Sequence, residues 1–231
     1  MPKFKRPQHQ LVLKVLAALN RELLSSTRCY FGGGTRIVLE LEEYRESLDI
    51  DFLCSDRAGY RQLRSSIAQQ SLGPICKQKV ELLRDVRADM YGIHTYFNID
   101  ETPIKFEIIN EARISLEGMS LQGLPVDSLD YTTCFAEKLL ANADRVRDKS
   151  THSRDLIDLA YMLASWPIDP LRQGWVLAED AYGSAVFKEI IFALDQFEGK
   201  AFRRNCIESL RVSDRRKLDR GLNKLRQLAS R

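Results

Sequence analysis

The stretch Tyr30-Phe31-Gly32-Gly33-Gly34-Thr35, followed after thirteen intervening residues by Asp49-Ile50-Asp51-Phe52, constrains this chain more than any other feature of it. In a strand alternate side chains share a face, so Asp49 and Asp51 point the same way, about 7 Å apart, while Ile50 and Phe52 turn into a core. Two carboxylates on one face of a largely buried strand repel unless a cation compensates them, and Arg45 is the nearest candidate partner in sequence. The preceding glycines accept φ > 0 and can bring backbone N–H groups close to a phosphate, and a helix starting near Thr35 adds its positive end. A phosphate cradle beside metal carboxylates predicts chemistry on a nucleoside triphosphate.

The rest of the composition narrows the setting. A length of 231 residues has room for one large domain or two small ones, and 44% hydrophobic with 29% charged residues is ordinary for a soluble globular chain. No segment approaches the roughly 20 apolar residues of a membrane span. The start, Met1-Pro2-Lys3-Phe4-Lys5-Arg6-Pro7, leads into no apolar signal core, so the expectation is a cytoplasmic protein with no membrane partner. Cys29, Cys54, Cys76, Cys134 and Cys206 are scattered and odd in number, which suits small core residues better than a zinc site or disulfide framework. The net charge of +3 hides basic ends: from Ala201 onward ten basic residues face three acidic ones, and Lys3, Lys5, Arg6 and Lys14 precede the first acid, Glu22. Such ends suit either a polyanion such as RNA or a solvated helix surface.

Apolar residues from Leu11 to Leu24 recur at helical spacing, predicting one amphipathic helix over about 8–24. A short strand over 29–31, a helix over 36–43, the carboxylate strand over 48–54 and a helix over 59–70 follow. Residues 80–110 read as sheet, with a turn at Asp100-Glu101-Thr102-Pro103 and a strand over 104–109 that sets Lys105 and Glu107 on one face. Helical periodicity then takes over, over 129–143 and 154–165, with further helices from about Trp175 to Leu228 broken near Gly183, Gly199 and Ser213. The expected fold is α+β, with a mixed head over 1–126 and an all-helical C-terminal domain over 127–231.

Glu107 is the natural third carboxylate, since a charge mid-strand among apolar residues is costly without a partner. Three carboxylates suit Mg²⁺ ions that also bind substrate phosphates, two ions in the usual phosphoryl-transfer arrangement. A salt bridge to Lys105 or Arg113 is the alternative for Glu107. His9, His94 and His152 lie far apart in sequence and are assigned no catalytic role.

Gly33-Gly34-Thr35 and Asp49-Ile50-Asp51-Phe52, with Arg45 and Ser47 ahead of the latter, resemble the core motif of polymerase-β-type nucleotidyltransferases, specifically the AbiEii/AbiGii toxin family. Phe135-Ala136-Glu137-Lys138-Leu139-Leu140-Ala141 and Arg154-Asp155-Leu156-Ile157-Asp158-Leu159 resemble that family's helical motifs, although the polar link Asp144–Ser153 is longer than expected. The resemblance implies a head with a mixed sheet flanked by helices, and transfer of a nucleotide from an NTP to an acceptor with release of pyrophosphate. In the family the acceptor is RNA, with tRNA ends a known target, and an antitoxin neutralises the enzyme. Carried onto this chain, Gly33, Gly34 and Thr35 hold the triphosphate, and Asp49, Asp51 and Glu107 bind the metal, Glu107 also helping to deprotonate the attacking hydroxyl. Lys138 offsets phosphate charge and Asp155 lines the catalytic site, while Arg154 and Asp158 brace two helices. For these helix residues a solvated lysine and an intrahelical ion-pair set are the structural alternative. Competing readings keep the fold but change the acceptor to a small molecule or a protein, or make the chain a non-catalytic RNA- or partner-binding module.

Overall fold

The apolar spacing from Leu11 to Leu24 yields two helices rather than the single one expected, α1 (Pro7–Ala18) and α2 (Arg21–Ser26). Leu19 is extended, and the Asn20 side chain accepts from the Leu23 N–H and so starts a new helix. The computed structural model describes residues 4–230; Met1, Pro2, Lys3 and Arg231, and with them part of the basic ends, lie outside the described residues. The chain divides into two units, Met1–Leu39 with Ser47–Asp130, and Glu40–Glu46 with Tyr131–Arg231.

In the first unit the short strand β1 (Cys29–Phe31) runs into α3 (Gly33–Glu40), then β2 (Ile50–Cys54) and α4 (Arg57–Ser65). Helix α3 begins three residues earlier than expected, because the chain turns directly at the glycines. Helix α4 begins at Arg57 because the Asp56 carboxylate accepts from the Ala58 and Gly59 N–H groups. Strands β3 (Arg87–Ala88), β4 (Gly92–Ile99), β5 (Thr102–Asn110), β6 (Gly118–Ser120) and β7 (Asp127–Leu129) complete a seven-stranded mixed sheet in the order β3-β4-β5-β2-β1-β7-β6. Strand β7 carries the sheet unit past Val126, where the sequence reading sets its boundary.

One face of this sheet is aromatic. Phe31, Phe52, Phe106 and Phe97 lie on adjacent strands with successive ring centroids 5.6, 6.0 and 5.2 Å apart, each pair contributing about 0.5–1.5 kcal/mol beyond its buried area. Val12, Val15 and Leu16 of α1 and Tyr60 and Leu63 of α4 join the same core. Strand alternation therefore sends Asp51 and Glu107, the neighbours of Phe52 and Phe106, to the other face.

The second unit is helical, with α5 (Tyr131–Arg145), α6 (Arg154–Ser165), α7 (Ile168–Tyr182), α8 (Ala185–Glu198), α9 (Lys200–Ser209) and α10 (Arg215–Leu228). The breaks fall at Gly183, Gly199 and near Ser213 as the sequence suggests, but α7 starts seven residues before Trp175. An α+β fold results. Helices α6 and α10 approach so closely at Gly221 that a Cβ there would lie 1.8 Å from the Ala160 carbonyl oxygen. Gly221→Ala is therefore expected to cost roughly 1–3 kcal/mol by overpacking, whereas Gly199→Ala, whose nearest atom stands at 3.4 Å, should stay near wild type. Urea unfolding of the two variants checks the contrast.

Candidate active site

The glycine turn and the carboxylate strand interlock. The Gly32 N–H donates to the Asp51 carbonyl oxygen at 2.8 Å, extending the β1–β2 pairing by one residue. Gly33 has φ +67°, and a Cβ on it would lie 2.1 Å from Asp51 Oδ2 and 2.9 Å from Asp51 Cβ and Cγ. The Asp51 carboxylate thus lies directly against the bare backbone of the turn, a position that any side chain at residue 33 would fill. Gly33 and Gly34 are half-buried, while Thr35 is fully buried. The Thr35 hydroxyl is hydrogen-bonded to Ser47 Oγ at 2.8 Å and so ties the turn to the segment leading into Asp49.

The register of the sheet brings Glu107 to the same place. Strands β2 and β5 are parallel with Asp51 opposite Glu107, and β4 and β5 are antiparallel with His94 opposite Glu107 and Tyr96 opposite Lys105. His94, Glu107 and Asp51 therefore form a row across three strands, and all three are half-buried. Asp49 sits one residue ahead of β2, which begins at the Ile50–Phe106 pair rather than at Leu48.

Both oxygens of Glu107 are engaged. Oε1 lies 2.7 Å from His94 Nδ1 and Oε2 accepts from Lys105 Nζ at 2.5 Å. Burial pushes the Glu107 carboxyl up, but these two hydrogen bonds and the charges behind them outweigh it, so the group sits below the usual carboxylate range. A carboxylate held ionised in this way is a better cation ligand than proton acceptor. Burial works against the Lys105 ammonium, yet its bond to Glu107 and the charges of Glu107, Asp49 and Asp51 raise it above its ordinary value.

Hard carboxylate oxygens gathered on one sheet face beside a glycine turn fit Mg²⁺ in chemistry. Among the described residues, however, no three His, Cys, Asp or Glu side chains are closed around a single point. The Glu107 carboxylate is turned to Lys105 and His94.

Lys138 and Asp155 belong to a second, buried cluster within the helical unit. Lys138 Nζ lies 3.0 Å from Asp155 Oδ1 and 2.8 Å from Asp158 Oδ2. Arg145 donates to both Asp155 oxygens at 2.6 and 2.8 Å, Arg45 donates to both Asp158 oxygens at 2.7 and 2.8 Å, and Tyr44 donates its hydroxyl to Asp158 at 2.5 Å. The side chains of Lys138, Asp155 and Asp158 are 6%, 4% and 0% exposed. Burial raises both carboxyls, but for Asp155 the charges of Lys138 and Arg145, and for Asp158 those of Arg45 and Lys138, prevail and hold them below their ordinary values. Arg45 thus compensates Asp158 and is not the partner of the Asp49–Asp51 pair, and Arg145, from the link that looked too long, is the residue that holds Asp155.

The family model for the nucleotidyl transferase AbiEii toxin of type IV toxin–antitoxin systems matches residues 14–221. The chain belongs to the AbiEii nucleotidyltransferase toxin family. No curated protein matches it. Among solved structures, a protein from H. pylori described provisionally as a nucleotidyltransferase shares 15% identity over 96% of this chain and 92% of its own, with a TM-score of 0.50, which shows a shared fold. JHP933 from Helicobacter pylori (14% identity, 89% of this chain and 100% of its own) and an antigenic nucleotidyltransferase-like protein from Paracoccidioides brasiliensis (12%, 96% and 95%) align with TM-scores of 0.34, too low to bear on the fold.

Of the two partners of Glu107, Lys105 is the salt-bridge alternative weighed from the sequence, whereas His94 is assigned no role there. The place of His94 depends on the turn, which the sequence sets over residues 100–103. Asp100 and Glu101 both have positive φ, forming a two-residue hairpin turn, and such a turn fixes the β4–β5 pairing so that His94 must oppose Glu107.

The buried pair Asp155 and Asp158 sets a pH dependence. Because their folded pKa values are depressed, the stability they contribute is fully present above the unfolded value, about 3.9, and is lost as pH falls through the folded values. Urea unfolding is expected to give a stability that levels off above about pH 5 and drops below about pH 4. Asp158→Asn should cost on the order of 3–5 kcal/mol at neutral pH, because it leaves Arg45 and Lys138 undercompensated in the interior.

Proposed function

We propose that this AbiEii-family enzyme transfers a nucleoside monophosphate from an NTP to an RNA acceptor such as a tRNA end, with Mg²⁺ as cofactor and pyrophosphate as leaving group. The observation that carries the reading is the contact of the Asp51 carboxylate with the backbone of Gly33, in register with Glu107. A triphosphate approaching that turn meets backbone N–H groups and the start of α3 on one side and the carboxylates on the other, an arrangement that only a bridging cation makes attractive. Asp49, Asp51 and Glu107 would hold the metal. Bound Mg²⁺ supplies neutralisation of phosphate charge and acidification of the attacking hydroxyl.

The chain's own contribution is position. The Gly32–Asp51 hydrogen bond and the Thr35–Ser47 bond hold turn and strand together, so the carboxylates and the turn reach the substrate as a rigid pair. Lys138 and Asp155, spent on each other and on Arg145, serve in this reading to set the helical scaffold.

The RNA assignment rests on the C-terminal helices, where the basic surface is narrower than the sequence count suggests. Arg203, Arg211, Lys217 and Arg226 are paired with Asp219, Glu46, Glu42 and Glu198. Arg204, Arg215, Arg216 and Arg220 are exposed, and Arg216 and Arg220 share a helix face. A toxin–antitoxin family also implies an antitoxin partner for this chain, here an antitoxin protein. No helix among the described residues is long and apolar enough to cross a membrane.

Incubation with each α-labelled NTP, Mg²⁺ and total RNA is expected to place label in RNA, and Asp51→Asn should lower that transfer by on the order of 10²–10³-fold. Label appearing in protein, in a small molecule or nowhere would overturn the acceptor assignment, and full transfer by Asp51→Asn would overturn the site. Replacing Arg216 and Arg220 with Ala should weaken RNA binding and reduce its salt slope by roughly 0.7 per lost phosphate contact on a single strand.

A further inference from the structure

Lys105 is a cationic side chain bonded directly to one carboxylate of the sheet site, Glu107, and acted on by the charges of Asp49 and Asp51. It accompanies Glu107 on the same face of β5, two residues away, and donates to Glu107 Oε2 at 2.5 Å. The ladder pairs Ile50 with Phe106, so Asp49 and Lys105, each one residue earlier on parallel strands, fall next in register. The charges of Asp49 and Asp51 also reach it. Lys105 thus occupies the electrostatic position that a divalent cation would take.

A cation can use both oxygens of Glu107 only if one present partner leaves. His94 stands opposite Glu107 on the β4–β5 ladder and, although its side chain is 40% exposed, it has only two rotatable bonds with which to leave. Lys105 has a flexible four-carbon stem, and its side chain is 36% exposed, so it can swing its ammonium into water at small cost. A compact ammonium on a carboxylate is a single point contact that a doubly charged ion out-competes.

We propose that Lys105 is a resident cation: it keeps Asp49, Asp51 and Glu107 assembled in the metal-free enzyme, and divalent metal binding proceeds by displacing it from Glu107. The proposal rests on the reading of these carboxylates as the metal site. Lys105 is then a positioning residue whose removal has two opposite effects. Without metal the carboxylates repel, so the fold weakens. With metal the competitor is gone, so the ion binds at lower concentration.

Thermal melts of the full chain in EDTA and across Mg²⁺ and Mn²⁺ titrations at constant ionic strength test this. Lys105→Gln should lower the melting temperature in EDTA and reduce the cation concentration for half-maximal stabilisation at least fivefold. Lys105→Arg should keep the EDTA melting temperature but raise that concentration, because a planar guanidinium grips a carboxylate with two hydrogen bonds. An unchanged or raised midpoint in Lys105→Gln overturns the resident-cation role; should that variant not fold, an unchanged midpoint in Lys105→Arg does so. Wild-type protein unresponsive to either cation, or a response undiminished in Asp51→Asn, removes the carboxylate site itself and the proposal with it.

Discussion

The carboxylate of Asp51 rests on the bare backbone of Gly33, and the arrangement of the sheet unit follows from that contact. A side chain at residue 33 would collide with it and would also have to adopt φ +67°. The turn therefore has to be glycine for two independent reasons, one steric and one conformational. Strand β2 brings Asp51 there, and its parallel pairing with β5 sets Glu107 beside it. Behind them the Phe31, Phe52, Phe106 and Phe97 rings fix both strands from the opposite face. The apolar face supplies the stability that allows the other face to carry like charges side by side.

Charge compensation is handled differently in the two units. In the sheet unit, the half-buried Glu107 is paired with Lys105, whose side chain is partly exposed. In the helical unit, Asp155 and Asp158 are enclosed by Lys138, Arg145, Arg45 and the Tyr44 hydroxyl, and Tyr44 stacks on Tyr161 at 3.8 Å. Every oxygen of that cluster has a donor, so breaking any one pair strands a charge in the interior. Segment Glu40–Glu46 supplies two of its members although it lies, in sequence, between α3 and β2. The polar, adaptable cluster suits ligand exchange, and the saturated one suits a fixed scaffold.

Much of this was legible in the chain. Alternation over residues 104–109 correctly set Lys105 and Glu107 on one face, and the glycine breaks in the C-terminal helices fell where expected because a missing Cβ is a local property. The AbiEii membership was likewise readable from Gly33-Gly34-Thr35 with Asp49 and Asp51. What sequence did not reveal was pairing over distance. Arg45 lies four residues from Asp49, yet its guanidinium goes to Asp158, 113 residues away in the chain. The family resemblance sets Lys138 against the substrate phosphates, with a solvated helix lysine as the alternative, and only packing decides that it is buried between two aspartates. His94 belongs with these, since the sequence places the turn over residues 100–103 and only the observed two-residue turn at Asp100 and Glu101 sets its register against Glu107.

The central claim is that the sheet face of Asp49, Asp51 and Glu107, and not the Lys138–Asp155 cluster, receives the metal and the nucleotide phosphates. A crystal structure with Mn²⁺ and a non-hydrolysable NTP analogue tests it most directly, because the anomalous signal of manganese locates the ion without reference to any assumed ligand. The account predicts manganese on the Asp49, Asp51 and Glu107 carboxylates, with the triphosphate against the backbone of Gly33 and Gly34. Manganese and phosphates bound instead at Asp155 and Asp158, with the sheet carboxylates still paired to Lys105 and His94, would contradict it.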